Sequence, residues 1–127
     1  MKAHQKKRCI LVVDDEVQAC NVVQKVLTQE GYRILTAFSG KEALKQLKKI
    51  PVDLLLLDLK MPTQDGLETL KQACLVQRNL KAVLSTAYGT ASNARDAMLL
   101  GVYDFLTKPF DNQLLKKAVK EALGAKG

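Results

Sequence analysis

The sequence predicts an α/β domain built on a parallel sheet with helices covering both faces. Three observations lead there. Short apolar runs alternate five times with segments of helical spacing, the connections between them are short, and Leu54-Leu-Leu-Leu57 shows no polar alternation. Repeated β/α units joined by short connections close as a parallel sheet. A strand without alternation is one buried on both faces, as at the centre of such a sheet.

The elements follow in order. Cys9-Ile-Leu-Val-Val13 forms a first strand, and Ala19, Val22, Val23, Val26 and Leu27 follow the i, i+3, i+4 rule of a helix. Gly31 stands where that helix would stop. Residues 32–37 form the second strand. Ser39-Gly-Lys-Glu42 matches a capping box and opens a helix carrying Ala43, Leu44 and Leu47, which must end before Pro51. Residues 52–57 give the third strand, and Leu67, Leu70, Ala73, Cys74 and Gln77 a third helix after Asp65-Gly66. Residues 82–85 make the fourth strand, and a fourth helix falls within residues 90–100, closed by Gly101. The fifth strand is Asp104-Phe-Leu-Thr107; Asp111 caps a fifth helix whose face is Leu114, Leu115, Ala118, Val119 and Leu123.

A chain of 127 residues fits one domain, with residues 1–7 as a basic arm and 124–127 as a tail. Apolar content of 47 % beside 26 % charged residues is that of a globular protein. No apolar run approaches the roughly 20 residues needed to span a bilayer. Cys9–Val13 is too short for a signal-peptide core and runs into Asp14, so a cytoplasmic location without membrane association is expected. Cys9, Cys20 and Cys74 are odd in number and lack CxxC spacing, as expected of buried free thiols. The net charge of +7 has two readings, a solvated basic surface or a functional patch. The lysines are scattered over the arm, residues 41–49 and the last helix, with no interleaved aromatics for base stacking. Direct nucleic-acid binding by this domain is therefore not expected.

In an open parallel sheet, ligands bind at the carboxyl ends of the strands. The first predicted strand ends in Asp14-Asp15-Glu16, the third in Asp58, the fourth in Ser85-Thr86 and the fifth in Thr107-Lys108-Pro109. Each has an ordinary alternative: Asp15 or Glu16 as a helix cap, Lys108 as a surface lysine. Asp58 is harder to dismiss, because a buried strand rarely ends in an unpaired carboxylate. Converging acids repel one another unless something positive lies among them. A hard divalent cation with oxygen ligands meets that need, and Mg2+ is the usual one beside phosphate. A lysine opposite suits a phosphoryl oxygen, and a screened carboxylate can act as nucleophile to give an aspartyl phosphate. GxxxxGK[ST] and GxGxxG are both absent, so nothing supports nucleotide binding.

Five pieces in order carry a resemblance: Val12-Val-Asp-Asp-Glu16; Leu57-Asp-Leu-Lys-Met-Pro62 with Asp65-Gly-Leu67; Leu84-Ser-Thr-Ala-Tyr-Gly89; Ala97-Met98; and Tyr103-Asp-Phe-Leu-Thr-Lys-Pro-Phe110. Over residues 8–123 the chain resembles the receiver domains of two-component response regulators. The wording is nearest to receivers attached to ATPase-type transcription activators. The resemblance implies a flavodoxin-like, doubly wound (βα)5 fold with strand order 2-1-3-4-5. It implies Asp58 as phosphoacceptor, Asp15, Asp58 and the Lys60 carbonyl as Mg2+ ligands, and Asp14 acting mainly through water. Thr86 matches the switch hydroxyl, Lys108 the lysine that pairs with the phosphoryl group, and Lys108-Pro109 a cis bond. Phe105 matches the aromatic that turns inward with the threonine; by residue pattern alone it is plain core, and Tyr103 is either packing or contact surface.

The implied partners are a sensor histidine kinase as phosphodonor and an output domain or second copy at the surface of the fourth helix, fifth strand and fifth helix. The implied function is a signalling switch rather than a turnover enzyme. A stand-alone regulator and a domain of a longer protein are both compatible, with the second slightly favoured. Leu99 stands where such receivers carry a basic residue, so it is either a docking contact or core. Lys60 and Tyr88 occupy positions that tune phosphoryl loss. A receiver-like module working without phosphorylation is disfavoured because every acid and the lysine are kept. An aspartyl-phosphate phosphatase is disfavoured because Asp58-Leu-Lys60 lacks the second acid of DxD.

Overall fold

The computed structural model describes residues 7–61, 64–86 and 101–124. The helix expected within residues 90–100 lies outside them, as do Tyr88, Ala97, Met98 and Leu99. Five strands form one parallel sheet: β1 (Cys9–Val13), β2 (Arg33–Ala37), β3 (Leu54–Asp58), β4 (Lys81–Thr86) and β5 (Asp104–Thr107). Their spatial order is β2-β1-β3-β4-β5, as the resemblance implied. Val13 lies beside both Ala37 and Leu57, Asp58 beside Ser85, and Thr86 beside Thr107. All five strands therefore finish at one edge.

The leucine run explains why the sheet has two buried faces. Side chains alternate along a strand, so Leu54 and Leu56 join Ile10 and Val12 on one face, packing on helix α1 (Val17–Gln29) and the C-terminal helix (Asn112–Gly124). Leu55 and Leu57 join Leu11 and Val13 on the other, under α2 (Gly40–Leu47) and α3 (Gly66–Val76). Two expected core residues do not reach it: Val22 is 57 % exposed and Leu114 47 %. Each obeys helical spacing with one buried neighbour yet lies roughly 100° around its helix from the middle of the buried stripe. Among the described residues no helix is long and apolar enough to cross a membrane.

The element ends follow local chemistry. At the end of α1 the N–H groups of Gly31 and Tyr32 donate to the carbonyls of Thr28 (3.0 Å) and Leu27 (3.3 Å), a Schellman closure. It requires the left-handed backbone of Gly31 (φ +96°) and delays β2 to Arg33, one residue later than expected. The expected capping box opens α2 in altered form. Ser39 Oγ accepts from the Glu42 N–H at 3.1 Å, but the Glu42 carboxylate reaches back to the N–H of Phe38. Asp111 Oδ1 caps the C-terminal helix, accepting from the Leu114 N–H at 2.7 Å. Lys108-Pro109 is cis.

Gln77, expected on the face of α3, lies one residue beyond it and acts as a clamp. Its Nε2 donates to the carbonyls of Leu47 and Ile50, both at 2.7 Å, and its Oε1 accepts from the Val52 N–H at 2.9 Å. The Val52 N–H is thereby taken out of the ladder, and β3 begins at Leu54 rather than at residue 52. One side chain ties the end of α2 and the following loop to the end of α3. Replacing Gln77→Leu should lower unfolding stability by about 2 kcal/mol, since three partly buried backbone groups lose a partner. Urea denaturation checks this, with a lower midpoint at unchanged slope as the expected result.

Candidate functional site

The polar residues predicted at the strand ends do converge. β1 delivers Asp14, 5 % exposed, and then the exposed Asp15; β3 delivers Asp58, 6 % exposed, as its last residue. Carboxylate oxygens of Asp14, Asp15 and Asp58 all lie within 4.8 Å of one another. Lys108, just after β5, places Nζ 2.6 Å from Asp14 Oδ2 and 3.4 Å from Asp58 Oδ2. Thr86 and Ser85 end β4 and are buried. Phe105 is half-buried on β5, beside Leu84, with Tyr103 exposed ahead of it.

Backbone hydrogen bonds hold this arrangement. The Asp14 N–H donates to the Ala37 carbonyl at 3.1 Å, and Asp14 Oδ1 accepts from the Glu16 N–H at 3.0 Å. Glu16 is the N-cap residue of α1 but makes no side-chain cap bond, so the helix-cap reading of Asp15 and Glu16 fails. The acid that bonds the start of the helix is Asp14. The Leu59 N–H donates to Ser85 and the Lys108 N–H to Thr86, stitching the residues after β3 and β5 onto β4.

Three carboxylates face one ammonium. Burial pulls the Lys108 ammonium down, but the Asp14 hydrogen bond and the charges of Asp14 and Asp58 outweigh it, so its pKa rises. Lys108 is thus a fixed positive charge at neutral pH, and the cluster still carries excess negative charge. The donors are oxygens only, which fits a hard divalent cation rather than a soft one. Cys20 lies close by, its thiol donating to the Asp14 carbonyl at 3.4 Å. Burial first, and then the Asp14 charge, push that thiol up to about 11, so it is not a thiolate ligand.

Two contributors were not recognised from sequence alone. Sequence shows Cys20 only as a free thiol. Gly66 was read as part of a helix start, whereas its reason is steric: a Cβ there would lie 2.7 Å from the Leu59 carbonyl oxygen and 2.8 Å from the Leu59 Cα. The first turn of α3 thus presses on the backbone that directly follows Asp58. The segment between them folds back on itself, Lys60–Met61 pairing antiparallel with Gln64–Asp65.

A doubly wound sheet whose order reverses beside a lysine-bridged acidic cluster defines an α/β protein with a polar site at the switch point of its sheet. The family is more specific. Residues 10–120 match the model of the response regulator receiver domain, and the chain belongs to that family. It is 36 % identical to sporulation initiation phosphotransferase F of Bacillus subtilis, covering 92 % of this chain and 94 % of that protein. It is 37 % identical to transcriptional regulatory protein ZraR of Klebsiella oxytoca over 90 % of this chain, which spans only 26 % of that longer protein. The solved response regulator TrrA of Thermotoga maritima, crystallised with Mg(2+)-BeF, is 34 % identical with a TM-score of 0.81, covering 91 % of this chain and 98 % of that one.

Gly66→Ala should destabilise the protein by about 1–3 kcal/mol, because the clash is with backbone, and should move the amide resonances of Asp58 and Leu59. Gly124→Ala is the contrast. A Cβ there meets nothing within 4 Å, and the change should be neutral or stabilising by up to about 1 kcal/mol. Denaturation curves and amide NMR spectra of both variants check the pair.

Proposed function

We propose that this domain is a phosphorylation switch in which Asp58 takes the phosphoryl group from a sensor kinase's phosphohistidine, with Mg2+ required. The observation that carries the reading is the Lys108 ammonium held against Asp14 and Asp58 within a cluster of three carboxylates. In the transfer, an Asp58 carboxylate oxygen bonds to phosphorus while the phosphorus–nitrogen bond to histidine breaks. The imidazole leaves with the electron pair and takes a proton, and an acyl phosphate remains on Asp58. Asp15, Asp58 and the Lys60 carbonyl would hold Mg2+, with Asp14 acting through water; the ion supplies charge neutralisation for the incoming phosphoryl oxygens.

The other roles belong to the chain. Lys108, already 3.4 Å from Asp58 Oδ2, can pair with a phosphoryl oxygen by a small shift away from Asp14. The Thr86 hydroxyl, on the neighbouring strand, is the donor drawn toward the phosphoryl group, and Phe105 follows it inward. Phosphoryl binding then shifts a population between two arrangements, changing the surface around β5 and the C-terminal helix. Exposure of Tyr103 (41 %) and Leu114 (47 %) supports a contact role there, for an output domain or a second copy. The TrrA structure with Mg(2+)-BeF and the phosphotransferase name of the Bacillus relative support the chemistry. The role is that of a cytoplasmic signalling switch.

Incubation with Mg2+ and a small acyl phosphate donor should add about 80 Da to the intact mass. The addition should disappear in Asp58→Asn and on chelating the metal. Thr86→Ala should still take up the group while losing the linked amide-shift changes at Phe105. A folded wild-type protein that gains no mass at high donor concentration would sink the acceptor assignment.

A further inference from the structure

A cavity of about 490 Å³ opens at the end of the sheet opposite Asp58, between the α2–β3 loop and the α3–β4 loop. The length of β3, roughly 15 Å at five residues, separates it from the carboxylate cluster. Leu47, Val52 and Leu80 form an apolar floor, and the exposed Lys48, Lys49 and Arg78 form its rim. Every charged residue lining it is a cation. The carboxyl end of α2 accounts for Lys48, where a cation meets the negative end of the helix dipole. Arg78 stands two residues past the carboxyl end of α3, so the ends of two helices bring their cations to one rim. The frame is fixed in advance, because Gln77 bonds Leu47, Ile50 and Val52 across the two loops.

We propose that this cleft docks an acidic peptide segment of a partner protein, one apolar side chain entering the floor and its carboxylates meeting Lys48, Lys49 and Arg78. The volume suits one or two side chains and lies in the range of ordinary ligand pockets. Complementary charge at the rim gives such a segment its orientation, and burial on the apolar base its affinity. A free inorganic anion would leave the floor unused. A nucleic acid would need stacking surfaces, and no lining residue is aromatic. A preformed frame lowers the ordering cost of binding. The site is independent of the chemistry at Asp58, so a second partner can be held while phosphoryl transfer proceeds at the far edge.

The test is an amide NMR titration of the whole chain with a short peptide carrying one leucine flanked by glutamates. Saturable shifts confined to residues 47–52 and 77–80 are expected. Joint reversal Lys48→Glu, Lys49→Glu and Arg78→Glu should weaken binding about tenfold. A control reversal of equal charge, Lys25→Glu, Lys117→Glu and Lys120→Glu, should change it less than about twofold. Both triple variants should still gain a phosphoryl group on Asp58, which separates this proposal from the acceptor assignment. The proposal is overturned by shifts spread over the whole basic surface, by equal loss in the two triples, or by equal binding of the peptide with glutamines in place of glutamates. Tighter binding of a short oligothymidylate at the same residues would also overturn it, assigning the cleft to nucleic acid.

Discussion

The ion pair that Lys108 makes with Asp14 and Asp58 is the constraint on which the site depends. It joins residues 94 and 50 positions apart in sequence, and so links the far ends of β1, β3 and β5 across the sheet. The lysine side chain is 22 % exposed and each aspartate 8 %, so water screens the contact only in part. Partly buried pairs return little net stability, because desolvation offsets most of the attraction, but removing one partner leaves an uncompensated charge. Here the imbalance is built in, since Asp15 adds a third carboxylate. The pocket is therefore a place where the fold gives up stability to keep a charge pattern ready.

That pattern survives only if strand register is fixed, and the charged residues that bound the leucine run mark it: Asp53 at one end, accepting from the Cys9 N–H, and Asp58 at the other. Leu54 to Leu57 divide between two packed faces, so a slip of one residue would exchange both sets and carry Asp58 away from Ser85 and Asp14. Gly66 adds a second restraint from outside the sheet, because α3 lies against Leu59 too closely for any side chain. Asp58 is thus held from behind by its strand and from ahead by the helix. The residues that aim Asp58 are apolar or bare.

This explains what could be read from sequence and what could not. Strand and helix identity were legible because burial imposes periods of two and about 3.6 on the chain. The members of the site were legible because strand ends in a parallel sheet share an edge. Partner choice was not. Sequence places Lys108 opposite the acids, yet only the folded geometry shows it nearer Asp14 than Asp58. The side chains of Tyr32 and Val52 fit the strand pattern, while their backbone N–H groups are claimed by Leu27 and Gln77. Side-chain pattern reports on burial; it is silent on which backbone groups are already spent. Val22 and Leu114 show a related gap, since spacing to one buried neighbour does not fix the width of the stripe.

The charge distribution bears on how an acidic pocket can receive an anion. Near the cluster, the carboxylates would repel an approaching phosphoryl group, and under the proposed mechanism Lys108 and a bound cation reverse that locally. Farther out the whole chain acts, and its net charge is +7. Out to roughly a Debye length, about 8–10 Å, an incoming group senses the summed field of the surface charges, and salt screens them beyond it. A basic body around an acidic pocket therefore attracts an anionic donor from a distance and confines repulsion to the last few ångströms, where metal and lysine can cancel it. The scattered lysines then have an electrostatic role in drawing in that donor, and three cations gathered at the far cleft are a local feature of the same basic body.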